Sequence, residues 1–346
     1  MFKSHDFQKN LLKWYDKHRR DLPWRAKAGI QPDPYHVWLS EIMLQQTTVP
    51  TVIPYFQKFL KLWPNLKKFA AAKNEDVLKE WAGLGYYARA RNLHKCAQVL
   101  AEDHNAIFPK VEAELLKLPG IGPYTAAAIS AIAFDNHAVV IDGNVDRIVV
   151  RVFGIETPIK LSKALIRKKA ELVYADVKRA GDFAQSLMDL GATICIPQKP
   201  RCHSCPVSDF CKAFKKGIQN KIPSKPAKTA KPQRSGRVYW IENKGGKVLL
   251  ERRDDKRMLG GMMALPTTGW DRKSDSILPK EVENKIIYAG DVYHSFTHFD
   301  LKLEVWKGVL TNSAKDNIWI DKKEILSAGL PTVFKKAVKI VRGNEN

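Results

Sequence analysis

The segment LPGIGPYTAAAIS, residues 118–130, holds two glycines and two prolines followed by a run of small and apolar residues. This composition predicts a tight turn between two helices, because Gly120 and Gly122 can adopt positive φ without steric penalty. The first helix is expected to end at Leu118 and the second to begin near Tyr124. Free backbone N–H groups at the start of a helix bind phosphate. We therefore interpret the segment as a helix–hairpin–helix that binds a phosphate, a simple connection between helices being the alternative.

The residues around this turn, from about 7 to about 214, follow a helical pattern. Apolar residues recur three or four positions apart in VWLSEIMLQQ, AELLKL and VDRIVVRVFG. The sequence thus predicts an all-α domain over residues 1–219. It contains the helix–hairpin–helix at 118–130 and a cysteine-rich loop at 195–211.

Beyond this domain the composition changes. Residues 220–236 are rich in lysine and proline, which is typical of an extended linker. The apolar period then falls to two: RVYWIE and KVLLER flank NKGG, as in a β-hairpin, and YHSFTHFDLKLEVWKGVL alternates over a long run. Residues 237–346 are therefore predicted to form a smaller α+β domain.

The charge points to a polyanionic partner. Lysine and arginine outnumber aspartate and glutamate by 58 to 36, giving a net charge of +22. Such an excess favours binding to nucleic acid, although a merely soluble basic protein or one touching anionic membranes is also compatible with it. No signal peptide or apolar run of about 18 residues is present. We therefore expect a cytoplasmic, nucleoid-associated protein without a membrane partner.

Four of the five cysteines lie close together, with the spacing C-x6-C-x2-C-x5-C. Four thiolates suit either a tetrahedral zinc ion or an iron–sulfur cluster. Zinc sites usually combine two C-x2-C pairs, whereas only one is present here, so the spacing favours iron and sulfur. The predicted ligands are Cys195, Cys202, Cys205 and Cys211.

These two motifs resemble the helix–hairpin–helix superfamily of DNA glycosylases, and the cysteine spacing is similar to that of its endonuclease III branch. The resemblance covers residues 36–212 and implies one 4Fe–4S cluster. In the bifunctional members a lysine stands two residues after the second hairpin glycine and forms a Schiff base with the sugar. Here that position is Tyr124, and a phenol cannot form a Schiff base. This departure matches the adenine-excising (MutY-type) members and implies a monofunctional enzyme.

Two further segments resemble that type and carry its two acids. WLSEIMLQQTTVPTVIPYFQKF resembles the adenine-pocket helix and contains Glu41; IDGNVDRIVVR resembles the segment with the aspartate, here Asp142. Apolar neighbours are expected to raise the pKa of Glu41 so that it can donate a proton to adenine. Asp142, beside Asn144 at a helix N-terminus, is expected to stay charged and face the sugar cation. A solvated helix glutamate and a plain N-cap are the alternatives.

The resemblance also implies residues that bind DNA and the everted base. Arg25, in LPWR, matches an arginine of the adenine pocket, while Gln46 and the Leu84 and Tyr86 of GLGYYARAR match residues that wedge the duplex. A helix junction is the alternative for this last segment.

The C-terminal domain resembles the Nudix-like module that recognises 8-oxoguanine. The segment HSFTHFDLKL matches its recognition loop. Residues 271–285 lack the clustered glutamates with which Nudix hydrolases hold magnesium, which argues against that activity. A domain that serves stability alone is the alternative. The predicted contacts to the lesion are His294, Phe296, Thr297 and His298.

Together these features predict a monofunctional glycosylase that removes adenine mispaired with 8-oxoguanine or guanine in double-stranded DNA, acting as a monomer. An endonuclease III-like enzyme for oxidised pyrimidines and a non-catalytic DNA-binding protein are the alternatives.

Overall fold

A computed structural model describes residues 2–224, 230–270, 286–310 and 318–343. The chain divides into two compact units, and one boundary between them, at His94 and Lys95, falls inside the helix Ala88–Asp103. The first unit comprises Met1–Ala70 and Lys95–Lys228, and the second comprises Ala71–His94 and Thr229–Asn346.

The sequence predicted an unbroken helical domain up to residue 219, whereas residues 71–94 group with the C-terminal unit. Strand pairing also begins at Gln233, within the predicted linker. The predicted bounds of the helical domain, the linker and the α+β domain stay a prediction; they are residues 1–219, 220–236 and 237–346. The described helices include none with the length and apolar character that a membrane crossing requires.

The first unit is helical. Its helices, with α6 shared across the boundary, are α1 (Ser4–His18), α2 (Pro34–Leu44), α3 (Val49–Leu62), α4 (Leu66–Ala70), α6 (Ala88–Asp103), α7 (Glu112–Leu115), α8 (Pro123–Phe134), α9 (Gly143–Phe153), α10 (Lys163–Tyr174), α11 (Ala180–Thr193) and α12 (Lys212–Lys215). Helix α5 (Asn74–Trp81) belongs to the second unit.

Helix α8 lies at the centre of the first unit. Every residue from Thr125 to Ala133 is buried, and the helix packs against α2 and α11. Gly181 of α11 allows this close approach, because a Cβ there would lie 2.7 Å from the carbonyl oxygen of Ala131. A helix that is apolar all round is buried on all sides, which is why this segment fixes the positions of its neighbours.

The helix–hairpin–helix forms with two differences from the prediction. The first helix, α7, ends at Leu115 rather than Leu118, and residues 116–119 form turns. Gly120 has φ of 74°, as expected, but Gly122 has φ of −92°. Gly122 is the N-cap of α8, and an N-cap residue takes extended backbone rather than the left-handed conformation.

In the described residues, the strands of the second unit are β1 (Gln233–Asn243), β2 (Lys247–Arg252), β3 (Met263–Ala264), β4 (Thr267–Thr268), β5 (Ile287–Ser295), β6 (Asp300–Leu310) and β7 (Ile318–Asp321). These strands form one mixed sheet in which β3, β2, β1, β6 and β5 follow in that order, β4 pairs with β1, and β7 pairs with β2. Strands β1 and β6 are parallel, and the other pairs are antiparallel. Helix α13 (Thr332–Gly343) packs on β5 and β6.

The predicted hairpin is confirmed, since β1 and β2 pair antiparallel across residues 244–246. The long alternating run that begins at Tyr293 is not one strand. It contains the end of β5, a loop at 296–299 and then β6. The period of two continues on both sides of the loop, so that hydrophobic alternation alone did not reveal the break. Residues 271–285 lie outside the described residues.

Candidate active site

Glu41 lies on the buried helix α2. Eight of the eleven residues of this helix are buried, and Glu41 is only 6% exposed. Burial raises the pKa of Glu41 to about 7, because desolvation penalises the charged carboxylate. A carboxyl group with this pKa is half protonated at neutral pH and can serve as an acid there.

The nearest polar partner of Glu41 is Tyr124, at the start of α8. The Tyr124 hydroxyl donates a hydrogen bond to Glu41 Oε2 over 2.5 Å. This bond lowers the pKa of Glu41, while the nearby charge of Asp142 raises it. Burial and both acids raise the pKa of Tyr124 well above its usual value, so that its hydroxyl remains a donor. The structure therefore brings together the two acids and the tyrosine that the sequence singled out.

Asp142 is the N-cap of α9. Its Oδ1 accepts from the backbone N–H of Val145 at 2.7 Å, and its Oδ2 accepts from Asn144 Nδ2 at 2.7 Å. Donors aimed at both oxygens match an ionised carboxylate, which only accepts hydrogen bonds. Asp142 can therefore serve both as the N-cap of α9 and as a charged group of the site, because capping uses only one of its two carboxylate oxygens.

A chain of hydrogen bonds leads from Asp142 to the cysteine loop. Asn144 Oδ1 accepts from Arg147 Nη2 at 2.8 Å, and Arg147 Nε donates to the carbonyl of Cys195 at 2.7 Å. Gly191 leaves room for Asn144, since a Cβ there would lie 2.5 Å from the Asn144 Cβ. The loop thus helps to hold the residue that binds the Asp142 carboxylate.

A cavity of about 50 Å³ adjoins Glu41 in the first unit. Arg25 and Gln185 line it, and Asp142 does not. Arg25 makes a bidentate ion pair with buried Asp189, with N–O distances of 2.6 and 2.7 Å. Ligand pockets usually measure hundreds of cubic ångströms, so that a purine enters only if lining side chains move.

The four clustered cysteines are half-buried thiols with no disulfide. Their loop is held by Arg151, which is 1% exposed. This guanidinium donates to the carbonyls of Cys195, Ile196, Pro197 and Ile222 over 2.7–3.2 Å, and to Cys195 Sγ at 3.3 Å. An arginine with this many carbonyl partners fixes the loop backbone.

The predicted wedge residues differ in exposure. Gln46 and Tyr86 are exposed and have positive φ, 57° and 50°, whereas Leu84 is buried. In the second unit, Arg89 lies over the Tyr86 ring, 5.5 Å from its centroid, and donates to the Leu84 carbonyl at 3.1 Å. Left-handed backbone is costly for a non-glycine residue, and these contacts offset that cost at Tyr86.

The predicted recognition loop begins at the end of β5. His294 meets Phe296 edge-on at 4.6 Å, while His298 is exposed. Thr297 Oγ1 lies 2.5 Å from the Tyr86 hydroxyl. The second unit thus joins a predicted wedge residue directly to a predicted lesion contact. The roles of all these residues stay predictions.

Comparison with known proteins agrees with this architecture. Residues 39–173 match the HhH-GPD superfamily of base excision DNA repair proteins, residues 237–339 the NUDIX domain, and residues 195–211 the iron-sulfur binding domain of endonuclease III. The adenine DNA glycosylase of Buchnera aphidicola subsp. Schizaphis graminum is 34% identical over 97% of this chain and 99% of its own. The human adenine DNA glycosylase is 32% identical over 98% of this chain and 74% of its own. This chain belongs to the adenine DNA glycosylase family.

Solved structures agree on the helical fold. A thermostable thymine-DNA glycosylase is 31% identical, with a TM-score of 0.53 over 62% of this chain and 97% of its own. A trapped covalent intermediate of endonuclease III with DNA shares the fold at 21% identity and a TM-score of 0.52, over 63% of this chain and 100% of its own. Both predicted fold classes, the helical glycosylase domain and the Nudix-like domain, are confirmed.

This adenine DNA glycosylase family member carries an iron–sulfur cluster. In the described residues, no three Cys, His, Asp or Glu side chains converge as ligands of one metal ion. The cysteines of a cubane lie farther apart, because each binds a different iron. Burial and the neighbouring cysteines raise the pKa of the Cys205 thiol to about 12. At neutral pH this thiol therefore becomes a thiolate only when a cation lies beside it. The four thiols fit a cluster.

We predict about four iron atoms per chain, one for each of the four loop cysteines. Replacing Cys202 with serine is expected to lower the iron content by more than half and to bleach the visible absorbance. Buried Cys96, which lies outside the loop, is the matched control. Iron analysis of both purified variants measures the effect, and equal iron loss from Cys96→Ser would contradict the assignment.

Sequence reasoning missed several residues that hold the site of this adenine DNA glycosylase family member. Gln185 lines the cavity, and Asp189 holds Arg25. Arg147 and Arg151 bind the cysteine loop. A signal was present: a lone charge within an otherwise apolar helical stretch, such as Asp189 in SLMDLGA (residues 186–192), is rarely buried unless it is paired.

Proposed function

We propose that this protein is a monofunctional glycosylase that hydrolyses the N-glycosidic bond of adenine mispaired with 8-oxoguanine or guanine. The observation that carries the proposal is the bond between Tyr124 and a buried Glu41 whose pKa is about 7. A lyase would need an amine at position 124 to form a Schiff base. The phenol there instead positions the acid.

Glu41 acts as the general acid. Cleavage of the glycosidic bond leaves negative charge on the departing base, and protonation of the adenine ring by Glu41 neutralises it. The proton moves from the carboxyl oxygen to a ring nitrogen of the everted adenine. Tyr124 holds the carboxyl in place, and its hydroxyl stabilises the carboxylate that remains.

Asp142 stabilises the sugar. As the bond breaks, positive charge builds on the deoxyribose, as in glycoside hydrolysis. The Asp142 carboxylate, oriented by Asn144 and by the N–H of Val145, offsets that charge. Water then adds to the sugar carbon and gives a proton to the Glu41 carboxylate, which restores the acid and leaves an abasic site.

The second unit supplies recognition of the lesion strand. Thr297 offers a hydroxyl and Phe296 an aromatic ring within the loop, and Tyr86 is bonded to Thr297. We assign this loop to the base opposite adenine. We assign the exposed Tyr86 and Gln46 to separating the strands; Leu84, which is buried, must become exposed to join them. The protein acts as a monomer on duplex DNA, in the cytoplasm at the nucleoid.

The test is a duplex assay. Incubation with DNA holding adenine opposite 8-oxoguanine is expected to give strand scission only after hot alkali, because a monofunctional enzyme leaves an intact abasic strand. A duplex with thymine opposite adenine is the control. Scission without alkali would indicate a lyase, and no scission after alkali would indicate a binding protein; either outcome overturns the proposal.

A further inference from the structure

A second cavity of the first unit adjoins the cavity beside Glu41. It measures about 690 Å³, which is within the usual range of cavities that hold small ligands. Its walls are the loop of residues 26–32, the end of α8 and the start of α11, and we call it the outer cavity. Ile132 and Gln185 line both cavities. These two side chains therefore form a partition between the space beside Glu41 and the outer cavity.

The outer cavity lies at the ends of two helices that are remote from the reacting groups. Tyr124 lies in the first turn of α8, whereas the last residues of that helix, 132–134, line the outer cavity. Helix α11 starts at the outer cavity with Gly181, and near its other end Gly191 packs against Asn144. Each helix separates the two places by about 15 Å. A duplex bound at the hairpin, where α8 begins, therefore leaves the outer cavity uncovered.

The partition consists of side chains that can move. The Gln185 amide donates to the carbonyl of Gly181 at 3.3 Å, which is longer than a strong hydrogen bond. Ile132 is 8% exposed, the highest value in the buried stretch 125–133 of α8. Both side chains border a cavity on each side, so that their rotation does not require the dense packing of the core to yield. A rotation of Gln185 would join the two cavities.

The lining of the outer cavity suits a neutral ligand. Three basic and three acidic residues line it, so that their formal charges cancel: Arg19, Lys27, Arg179, Asp16, Asp135 and Asp182. Arg179 lies between Asp16 and Asp182, with N–O distances of 2.6 and 2.7 Å. Phe134 and Ile30 add apolar walls. Balanced charges attract a phosphate weakly, whereas a flat, uncharged heterocycle packs well on apolar and aromatic surfaces.

Excision leaves a free base in a closed space, because the abasic strand covers the entrance through which the nucleotide came. We propose that free adenine leaves the protein through the outer cavity, with Gln185 and Ile132 as the gate. The inference rests on the proposed function. The space beside Glu41, about 50 Å³, must widen to hold a purine, and displacement of the same two side chains supplies that room.

The test compares the release of the two products. A duplex with radiolabelled adenine opposite 8-oxoguanine is cleaved in a single turnover. Rapid filtration measures adenine that has left the protein, and a strand label measures dissociation of the abasic duplex. Adenine is expected to leave roughly ten-fold faster than the duplex, since its route does not pass the DNA. Equal rates for the two products would overturn the inference.

A variant of the outer cavity distinguishes this route from leakage of the base past the DNA. Ala28→Trp, Gln31→Trp adds two indole rings to the exposed loop, at positions that line the outer cavity but not the cavity beside Glu41. Adenine release is expected to slow roughly ten-fold, towards the rate of duplex dissociation. The rate of alkali-dependent strand scission is expected to stay unchanged, because the groups around Glu41 are untouched.

The matched control is Gln98→Trp, Ala164→Trp, which places the same two rings on exposed helical positions outside both cavities. It is expected to release adenine at the rate of the unaltered protein. Equal adenine release by the outer-cavity variant and this control would overturn the inference. Absence of alkali-dependent scission by the unaltered protein would instead contradict the proposed function, so that the two failures are distinguishable.

Discussion

Replacing Glu41 with glutamine is expected to slow adenine excision by about 10³- to 10⁴-fold, because the amide cannot donate the proton that the departing base needs. The shape of the side chain is kept, and the amide oxygen still accepts from the Tyr124 hydroxyl. The affinity for a duplex with 8-oxoguanine opposite 2′-fluoro-2′-deoxyadenosine, a nucleotide that resists excision, is therefore expected to change by less than about three-fold. Single-turnover rates and duplex affinity measure the two effects.

The same substitution is expected to stabilise the fold at alkaline pH. The pKa of Glu41 rises from 4.5 to about 7 on folding. The folded state therefore binds the proton more tightly, and stability is full below pH 4.5 and falls as the pH rises through about 7. The difference amounts to roughly 3 kcal/mol above that range. Glu41→Gln removes this loss, so its melting temperature at about pH 8 should exceed that of the unaltered protein.

Excision itself should fall as the pH rises through about 7, where the acid is lost. Tyr124→Phe removes the hydrogen bond that lowers the pKa of Glu41. The decline in rate is then expected at a higher pH. Glu171→Gln, on the exposed surface of α10, is the control and should match the unaltered protein.

Loss of duplex binding or a lower melting temperature in Glu41→Gln would mean that Glu41 is structural.

Some of this site could be predicted from the sequence because its chemistry is local. Asp142 caps α9 through Val145, three residues away, and Gly120 forms the hairpin turn through its own φ. The cysteine spacing indicated the cluster, since all four thiols lie within one short loop. Such features depend on neighbouring residues, and their spacing carries the signal.

Other features depend on contacts between distant segments, which no local pattern encodes. Tyr124 meets Glu41 across 83 residues, and Arg25 meets Asp189 across 164. Resemblance named Tyr124 and Arg25, but not the partners they have in the fold. The grouping of residues 71–94 with the C-terminal unit has the same origin: Arg91, for example, donates to the carbonyl of Gly260. Helical periodicity reports which face is buried, not what covers it.

Replacing Asp142 with asparagine is expected to slow excision by about 10³-fold or more, because the charge that faces the sugar cation is lost. Asparagine is as good an N-cap as aspartate, so α9 should keep its bond from the Val145 N–H. The melting temperature is therefore expected to change by only a few degrees. Asp33→Asn is the matched control, since Asp33 caps α2 by accepting from the Tyr35 N–H at 2.8 Å.

A structural role for Asp142 can be separated from an electrostatic one by pH. The charge of Asp142 raises the pKa of Glu41, so that neutralising it lowers that pKa. The residual excision of Asp142→Asn should then decline at a lower pH than excision by the unaltered protein, whereas Asp33→Asn should leave the profile unmoved. Single-turnover rates from about pH 5 to about pH 9 measure this. An unshifted profile, or activity within ten-fold of the unaltered protein, would place Asp142 outside the electrostatics of the site, because a cap alone has no reason to move the titration of a residue on another helix.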